Sequence, residues 1–163
     1  MLVQCRSLFT GEVKTLPIDT EWDFSPVEFY GIHPFKKPVH VVGEITSRAG
    51  VVKLSVRATF TFEGQCDRCL EPFVRDYDIP IEHILVTTVE NEDSDYVLLD
   101  NYQLALDELV QADILLELPY KNLCREDCRG LCPQCGKNQN EGLCGCQTKT
   151  VDPRLEILSQ LLK

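Results

Sequence analysis

Cysteine is the residue that most constrains this chain of 163 residues, because it occurs nine times and eight of the nine fall into four close pairs. The pairs are Cys66-x2-Cys69, Cys124-x3-Cys128, Cys132-x2-Cys135 and Cys144-x-Cys146, and Cys5 stands alone. A chain with this many thiols folds around either a disulfide framework or bound metal ions. The compartment in which the chain folds decides between the two.

The first residues show no long apolar run of the secretory kind, and charged or turn residues interrupt the chain too often for a membrane span. We therefore expect a cytoplasmic protein that makes no membrane contact. Stable disulfides are rare in that reducing compartment, so the cysteines are expected to bind metal.

Four close pairs of thiolates are typical of two tetrahedral zinc sites, in which each ion binds four sulfurs at about 2.3 Å. Pro133 and Gly136 favour a chelating turn between Cys132 and Cys135. The preferred arrangement predicts two structural Zn2+ sites, one formed by Cys132, Cys135, Cys144 and Cys146, and the other by Cys66, Cys69, Cys124 and Cys128. An alternative exchanges pairs within the C-terminal cluster and leaves Cys66 and Cys69 with fewer ligands.

Other chemistry is compatible with some of these thiols. Cys66 and Cys69 have a second interpretation as a redox dithiol, and the same thiolates suit an iron–sulfur cluster. Cys5 is expected to be a small buried residue. Closed four-cysteine sites leave no open coordination position, and the sequence lacks G-x-S-x-G, G-x-x-x-x-G-K-[ST], G-x-G-x-x-G and H-E-x-x-H. We therefore expect no enzymatic activity and no small-molecule substrate.

Four basic residues are interleaved with the cysteines: Arg68, Arg125, Arg129 and Lys137. A zinc ion bound by four thiolates leaves a net charge of about −2, and offsetting that charge is one role for these cations. Direct contact with RNA phosphates is the competing role.

The net charge of −10 arises from one segment of the chain. Residues 76–120 contain twelve acidic residues and no Lys or Arg, whereas residues 1–75 are neutral and residues 121–163 carry +2. This acidity argues against a protein that coats nucleic acid by charge alone. The segment is interpreted either as a solvated loop, Glu90–Asp95, with a polar helix face, or as a surface that attracts a basic partner.

Alternating apolar and polar residues predict that the first half is rich in β-strands. Val39–Ser47 has the pattern of a strand and is followed by a turn at Ala49-Gly50, after which residues 52–62 alternate without a break. The alternation resumes at residues 73–82, beyond Cys66 and Cys69. This pattern predicts an antiparallel hairpin with both cysteines at its tip.

Two helices are predicted in the second half. Residues 102–118 are expected to form one, ended by Pro119, and the other is expected from Asp152 onward. The apolar side expected for the first consists of Tyr102, Ala105, Leu106, Leu109, Ala112 and Leu116. The fold class indicated is α+β: an antiparallel β-rich domain, barrel-like or a strongly twisted sheet, with two helices and a cysteine-rich zinc-binding C-terminal module. The expected domains are residues 1–118 and residues 119–163, the second packed on the first.

The segment GQCDRCLEPF at residues 64–73 resembles the signature of the YceD-like family, the large ribosomal RNA subunit accumulation proteins. Further segments that resemble the family are LELP at 116–119 before Cys124-x3-Cys128, GLCPQCGKN at 130–138, and DPRL at 152–155. Gln139 departs from the family's commonest pattern, which has Leu there, and this departure affects no ligand. The order and spacing of these segments extend from residue 64 to residue 162.

The resemblance implies a bacterial or organellar protein that is needed for 23S ribosomal RNA to be made, processed or kept. The family's cysteines that can be assigned to this chain are Cys66 and Cys69 and, as in zinc-rich members, the C-terminal cysteines. The resemblance implies no catalytic residue. The expectation is a non-enzymatic factor in large-subunit biogenesis that binds 23S rRNA or its precursor, a basic ribosomal protein, or both. Two alternatives are a thiol-sensing zinc protein and an RNA-processing enzyme.

Overall fold

The computed structural model describes residues 1–88 and 96–146. Its elements in chain order are β1 (Leu2–Gln4), α1 (Arg6–Phe9), β2 (Thr15–Trp22), β3 (Val39–Arg48), β4 (Val51–Gln65), β5 (Pro72–Val86), β6 (Tyr96–Leu98), β7 (Gln103–Ala105) and α2 (Leu106–Glu117). The acidic run Glu90–Asp95 and the helix predicted from Asp152 lie outside the described residues.

Five strands form one mixed sheet in the order β2-β3-β4-β5-β6. The pairs β2–β3 and β3–β4 are antiparallel, whereas β6 lies parallel to β5. In the described part of the chain β2 and β6 form opposite edges of this sheet, so it does not close on itself. The barrel-like form of the prediction is therefore wrong, and the parallel strand β6 makes the sheet mixed instead of purely antiparallel.

The predicted hairpin is confirmed as β4 and β5. The ion pairs Arg57–Asp78 and Lys53–Glu82, each at 2.8 Å, join residues in the order that antiparallel strands require. The preceding turn at Ala49-Gly50 has positive φ at both residues, which suits the right-handed twist of the strands it joins. The alternating residues of β4 are buried as predicted: Val52, Leu54, Val56, Ala58, Phe60 and Phe62.

Helix α2 differs from its prediction in both its start and its buried side. It begins at Leu106 because Gln103–Ala105 pairs with β1 in a second, two-stranded sheet. The buried stripe is Leu106, Val110 and Ile114. Leu106 confirms the prediction, whereas Leu116, on the same predicted side, is 83% exposed. Three large side chains at intervals of four residues bury more apolar area than a stripe that includes alanine. The helix ends before Pro119, as predicted.

The chain forms two compact units. The first comprises residues 1–64 and 73–120, and its core is built by the apolar faces of the strands and of α2. The second comprises the hairpin tip, residues 65–72, together with the chain from Lys121 onward, so the two segments that bear the paired cysteines belong to one unit. Within the described residues, no helix has the length and apolar character needed to cross a membrane.

Candidate metal centres

Four sulfurs converge at the hairpin tip: those of Cys66, Cys69, Cys124 and Cys128, which all lie within 4.8 Å of one another. The Sγ atoms of Cys66 and Cys128 are 3.7 Å apart, and those of Cys69 and Cys124 are 3.6 Å apart. Four sulfurs placed tetrahedrally at about 2.3 Å from a zinc ion are about 3.8 Å from one another. The spacing of this first cluster therefore fits a tetrahedral metal site.

Backbone and side-chain contacts bring the distant segments of the first cluster together. The backbone N–H of Asp67 donates to the carbonyl of Asn122, and the N–H of Asn122 donates to the Asp67 carboxylate, both at 2.8 Å. The guanidinium of Arg68 donates to the carbonyl of Cys128 at 2.8 Å. A glycine at position 130 allows the Arg68 backbone to lie close to it, since the φ of Gly130 is +75° and a Cβ there would lie 2.9 Å from the Arg68 carbonyl oxygen.

The second cluster consists of Cys132, Cys135, Cys144 and Cys146, whose sulfurs also lie within 4.8 Å of one another. The structure therefore groups the sulfurs as in the preferred arrangement. The two clusters differ in their access to solvent. Three residues of the first cluster are buried, whereas in the second only Cys132 is buried and Cys135 is exposed. The second cluster is thus the one that solutes reach more readily.

The two Cys-x2-Cys turns have the same pattern of backbone hydrogen bonds. The N–H of Cys66 donates to the carbonyl of Glu71, and the N–H of Cys132 donates to that of Lys137, both at 2.9 Å. In each turn a second bond of 2.9 Å returns to the first cysteine, from Leu70 in one and from Gly136 in the other. A bend of this kind turns several backbone N–H groups toward the sulfurs.

Those N–H groups stabilise one thiolate in each cluster. Burial raises the pKa of Cys66, but backbone N–H groups of Cys124, Cys69 and Arg68 outweigh it and lower the pKa to about 6. In the second cluster, the N–H groups of Cys135 and Gln134 lower the pKa of Cys132 to about 6. In each cluster, backbone N–H groups thus favour the thiolate form of one cysteine.

The remaining sulfurs crowd around that thiolate. Burial is the main cause that raises the pKa of Cys124 to about 12, and neighbouring cysteine side chains contribute. Hydrogen bonds with Cys135 and Cys144 raise the pKa of Cys146 to about 12. A divalent cation at the centre of each cluster would offset this mutual repulsion, so the donor sets suit a thiolate-binding metal ion.

Asn140 is a residue of the site that the sequence analysis missed. Its side-chain amide donates to Sγ of Cys128 at 3.3 Å, and this hydrogen bond is the main cause that lowers the pKa of that cysteine. Its amide oxygen accepts from the backbone N–H of Arg129 at 2.9 Å and from the Arg125 guanidinium at 2.8 Å. No motif marks an asparagine for this role; its only signal is its position between Cys135 and Cys144.

The four predicted cations fall into two classes. Arg68 binds the Cys128 carbonyl, and Arg125 binds Asn140 and pairs with Asp127 at 3.3 Å, so both are used inside the second unit. The side chains of Arg129 and Lys137 are exposed, and neither has a hydrogen-bonding or ion-pair partner among residues 1–88 and 96–146. These two remain available for a ligand.

Cys5 lies in the first unit and is fully buried, which confirms the expectation for this residue. Its thiol contacts the carbonyl of Val3 at 3.7 Å, and burial raises its pKa to about 11. It belongs to neither cluster.

Comparison with known proteins gives one family and a few relatives. The family described as large ribosomal RNA subunit accumulation protein YceD matches residues 54–162, a range that includes all eight paired cysteines. An uncharacterized protein of Mycobacterium tuberculosis is 29% identical over 104 residues, which are 61% of this chain and 50% of that protein. The uncharacterized protein YlbN of Bacillus subtilis is 30% identical over 133 residues, 77% of this chain and 75% of that protein.

The chain spans about half the length of the mycobacterial relatives it matches. No solved structure matches it.

Proposed function

The chain belongs to the YceD family of large ribosomal RNA subunit accumulation proteins, and on that premise we propose that it is a non-enzymatic factor in biogenesis of the large ribosomal subunit. It supports the synthesis, processing or accumulation of 23S rRNA by binding that RNA or its precursor, a basic ribosomal protein, or both. The observation that carries the proposal is the family match, because residues 54–162 include both cysteine clusters.

Each cluster binds one structural Zn2+ ion in this proposal. The eight ligands are Cys66, Cys69, Cys124 and Cys128 at the first site and Cys132, Cys135, Cys144 and Cys146 at the second. The support is the number of sulfurs, their spacing and the N–H groups directed at Cys66 and Cys132. The ions hold the loops of the second unit in place, since a domain of this size has a small apolar core of its own.

RNA contact is assigned to Arg129 and Lys137, which are exposed and are the two of the four cations between the cysteines whose side chains have no partner among the described residues. The described part of the second unit has five basic and five acidic residues, so its net charge is zero before metal is added. Two four-thiolate zinc sites add about −4. Binding of RNA therefore depends on a few local phosphate contacts, with no broad positive field behind them.

The acidic segment at residues 76–120 is the proposed binding surface for a basic ribosomal protein. Its net charge of −12 would attract such a partner and repel RNA phosphate, so the two ligands would use different parts of the chain. Reversing the acidic charges within residues 90–95 should weaken binding of the ribosomal protein without unfolding the chain. An affinity that stays constant across a salt titration contradicts this part of the proposal.

The deciding experiment is to recover the tagged protein from growing cells and to identify the RNA and proteins bound to it. Enrichment of 23S rRNA, its precursor or large-subunit ribosomal proteins supports the proposal. A matched control is the chain with Cys66→Ser and Cys132→Ser, which removes one ligand from each cluster. Equal recovery of unrelated RNA and proteins by both chains would overturn the proposal.

A thiol-sensing function is the second candidate, and one observation favours it: Cys135 is exposed while the first cluster is largely buried. Release of zinc from the second site after oxidation, followed by a change in the bound partner, would establish that function. A third alternative, an RNA-processing enzyme, would be established by turnover of precursor RNA that a single non-cysteine substitution abolishes.

A further inference from the structure

The segment between the two clusters is joined to the loop inside the second one. Cys128 of the first cluster and Cys132 of the second are separated by residues 129–131, and the loop between Cys135 and Cys144 lies alongside them. The N–H of Gln139 donates to the carbonyl of Gly130 at 2.9 Å, and Leu131 forms an isolated β-bridge with Asn138. The two clusters therefore share a folded element.

Asn140 extends this element from one cluster to the other. It belongs to the loop of the second cluster, yet its amide N–H donates to the sulfur of Cys128 in the first at 3.3 Å. Its orientation is fixed from the opposite side, because its amide oxygen accepts from Arg129 and Arg125 and its backbone N–H donates to the side chain of Asn138 at 3.0 Å. Three bonds thus hold the donor toward the sulfur.

We infer that the two metal sites are coupled through Asn140, so that zinc in the second site raises the zinc affinity of the first. This inference rests on the proposed zinc sites. A metal ion at Cys132, Cys135, Cys144 and Cys146 fixes both ends of the loop, and a loop with fixed ends holds Asn140 against Cys128 at a smaller entropic cost. The donated N–H then stabilises the thiolate that the first ion requires.

The coupling is reciprocal. If zinc at the second site tightens the first, zinc at the first site tightens the second by the same factor, because both binding orders lead to the same doubly loaded protein. The second cluster is the more exposed one, so it is where loss of metal begins. Through Asn140 that loss weakens the buried site as well.

The test is a thermodynamic cycle with the full chain, titrated with Zn2+ and with Co2+ as a spectroscopic probe under reducing conditions. One variant, Cys144→Ser with Cys146→Ser, disables the second site. Another, Asn140→Asp, keeps the oxygen that accepts from Arg125 and Arg129 but replaces the N–H donor by an oxygen. Gln139→Ala, in the same loop, is the control. The affinity of the first site for metal is measured in each variant and in the chain that combines Asn140→Asp with the two serine substitutions.

Disabling the second site and replacing Asn140 should each weaken the first site by about ten- to a hundredfold, as expected for loss of a hydrogen bond to a metal ligand. The two changes combined should weaken it no more than Asn140→Asp alone, because disabling the second site then removes a contact that this variant already lacks. Gln139→Ala should leave the affinity unchanged. The cobalt spectrum of the second site in Asn140→Asp verifies that this variant still folds.

Additive effects, or a first site that is insensitive to Asn140→Asp, would overturn the coupling. If two ions bind but do so independently, the coupling is refuted, whereas the proposal of two zinc sites is not. A chain that binds no metal would refute both.

Discussion

Leu70 and Gly136 occupy the same position in two turns with matching backbone hydrogen bonds, one residue after the second cysteine of each pair. Both have a left-handed conformation, with φ of +61° at Leu70 and +71° at Gly136. Glycine adopts this conformation freely, whereas a residue with a Cβ does so at a cost of about 1–2 kcal/mol. The first turn therefore carries backbone strain that the second avoids.

Exchanging the residue types tests this relationship. We expect Leu70→Gly to raise the unfolding free energy by up to about 1 kcal/mol, since relief of strain exceeds the roughly 0.5–1 kcal/mol of added chain entropy. Gly136→Leu should lower it by about 1 kcal/mol, and because no atom of residues 1–88 or 96–146 lies within 4 Å of a Cβ there, the cause would be conformation without steric clash. Urea midpoints of the metal-loaded chains measure both changes. Shifts in the same direction would refute the explanation.

Much of the first unit could be predicted because its signal is local. Strand β4 alternates from Val52 to Phe62, and a strand with one buried face requires that period. The start of α2 could not be predicted in the same way. Gln103–Ala105 is extended because β1 pairs with it, and that partner lies about a hundred residues earlier in the chain. Pairing across such a distance leaves no mark in a local pattern.

In the candidate site, too, features with a local sequence signal could be predicted and features that depend on distant residues could not. Close spacing of cysteines indicates chelation, so the four pairs could be predicted, but the sequence left two ways of grouping the pairs into sites. The reciprocal bonds of Asp67 with Asn122, and the bond from Asn140 to Cys128, join segments that are distant in the chain or belong to different clusters. Side chains with such roles become visible only when the backbone is in place.

Metal content is expected to follow the two clusters. Protein purified without chelator should contain two zinc ions per chain by elemental analysis. Cys66→Ser should remove one ion, because three remaining sulfurs hold zinc far less tightly than four. Cys5→Ala is the matched control and should keep both ions, since Cys5 lies outside the clusters. Fewer than one zinc per wild-type chain would refute the proposal of zinc sites.

Thiol reactivity separates a zinc protein from a redox dithiol. Thiolates bound to zinc should resist alkylation in the native protein and should react once a chelator is added. After chelation Cys135 should be labelled before Cys66 and Cys69, because Cys135 is exposed and the other two are buried. Mass spectrometry of timed iodoacetamide reactions follows each site. Rapid labelling of Cys66 without chelator would favour the redox dithiol.

The buried thiol of Cys5 should make stability depend on alkaline pH. Burial raises its pKa from 9.0 to about 11, so the folded state retains a proton that the unfolded state loses. Its contribution, about 3 kcal/mol, is complete below pH 9 and is lost as the pH rises toward 11. The difference in unfolding free energy between wild type and Cys5→Ala should therefore shrink over this range. A constant difference would show that the thiol does not titrate in this way.

RNA binding provides the test of the two exposed cations. Arg129→Glu and Lys137→Glu should each weaken binding of a transcribed large-subunit rRNA fragment, whereas Lys36→Glu, an exposed lysine of the first unit, should have a smaller effect. Each lost phosphate contact with single-stranded RNA should make the slope of log K against log salt shallower by about 0.7. Replacing Arg68 should instead lower stability, because its guanidinium holds the Cys128 carbonyl. If all three glutamate variants weaken binding equally and leave the slope unchanged, Arg129 and Lys137 make no specific phosphate contacts.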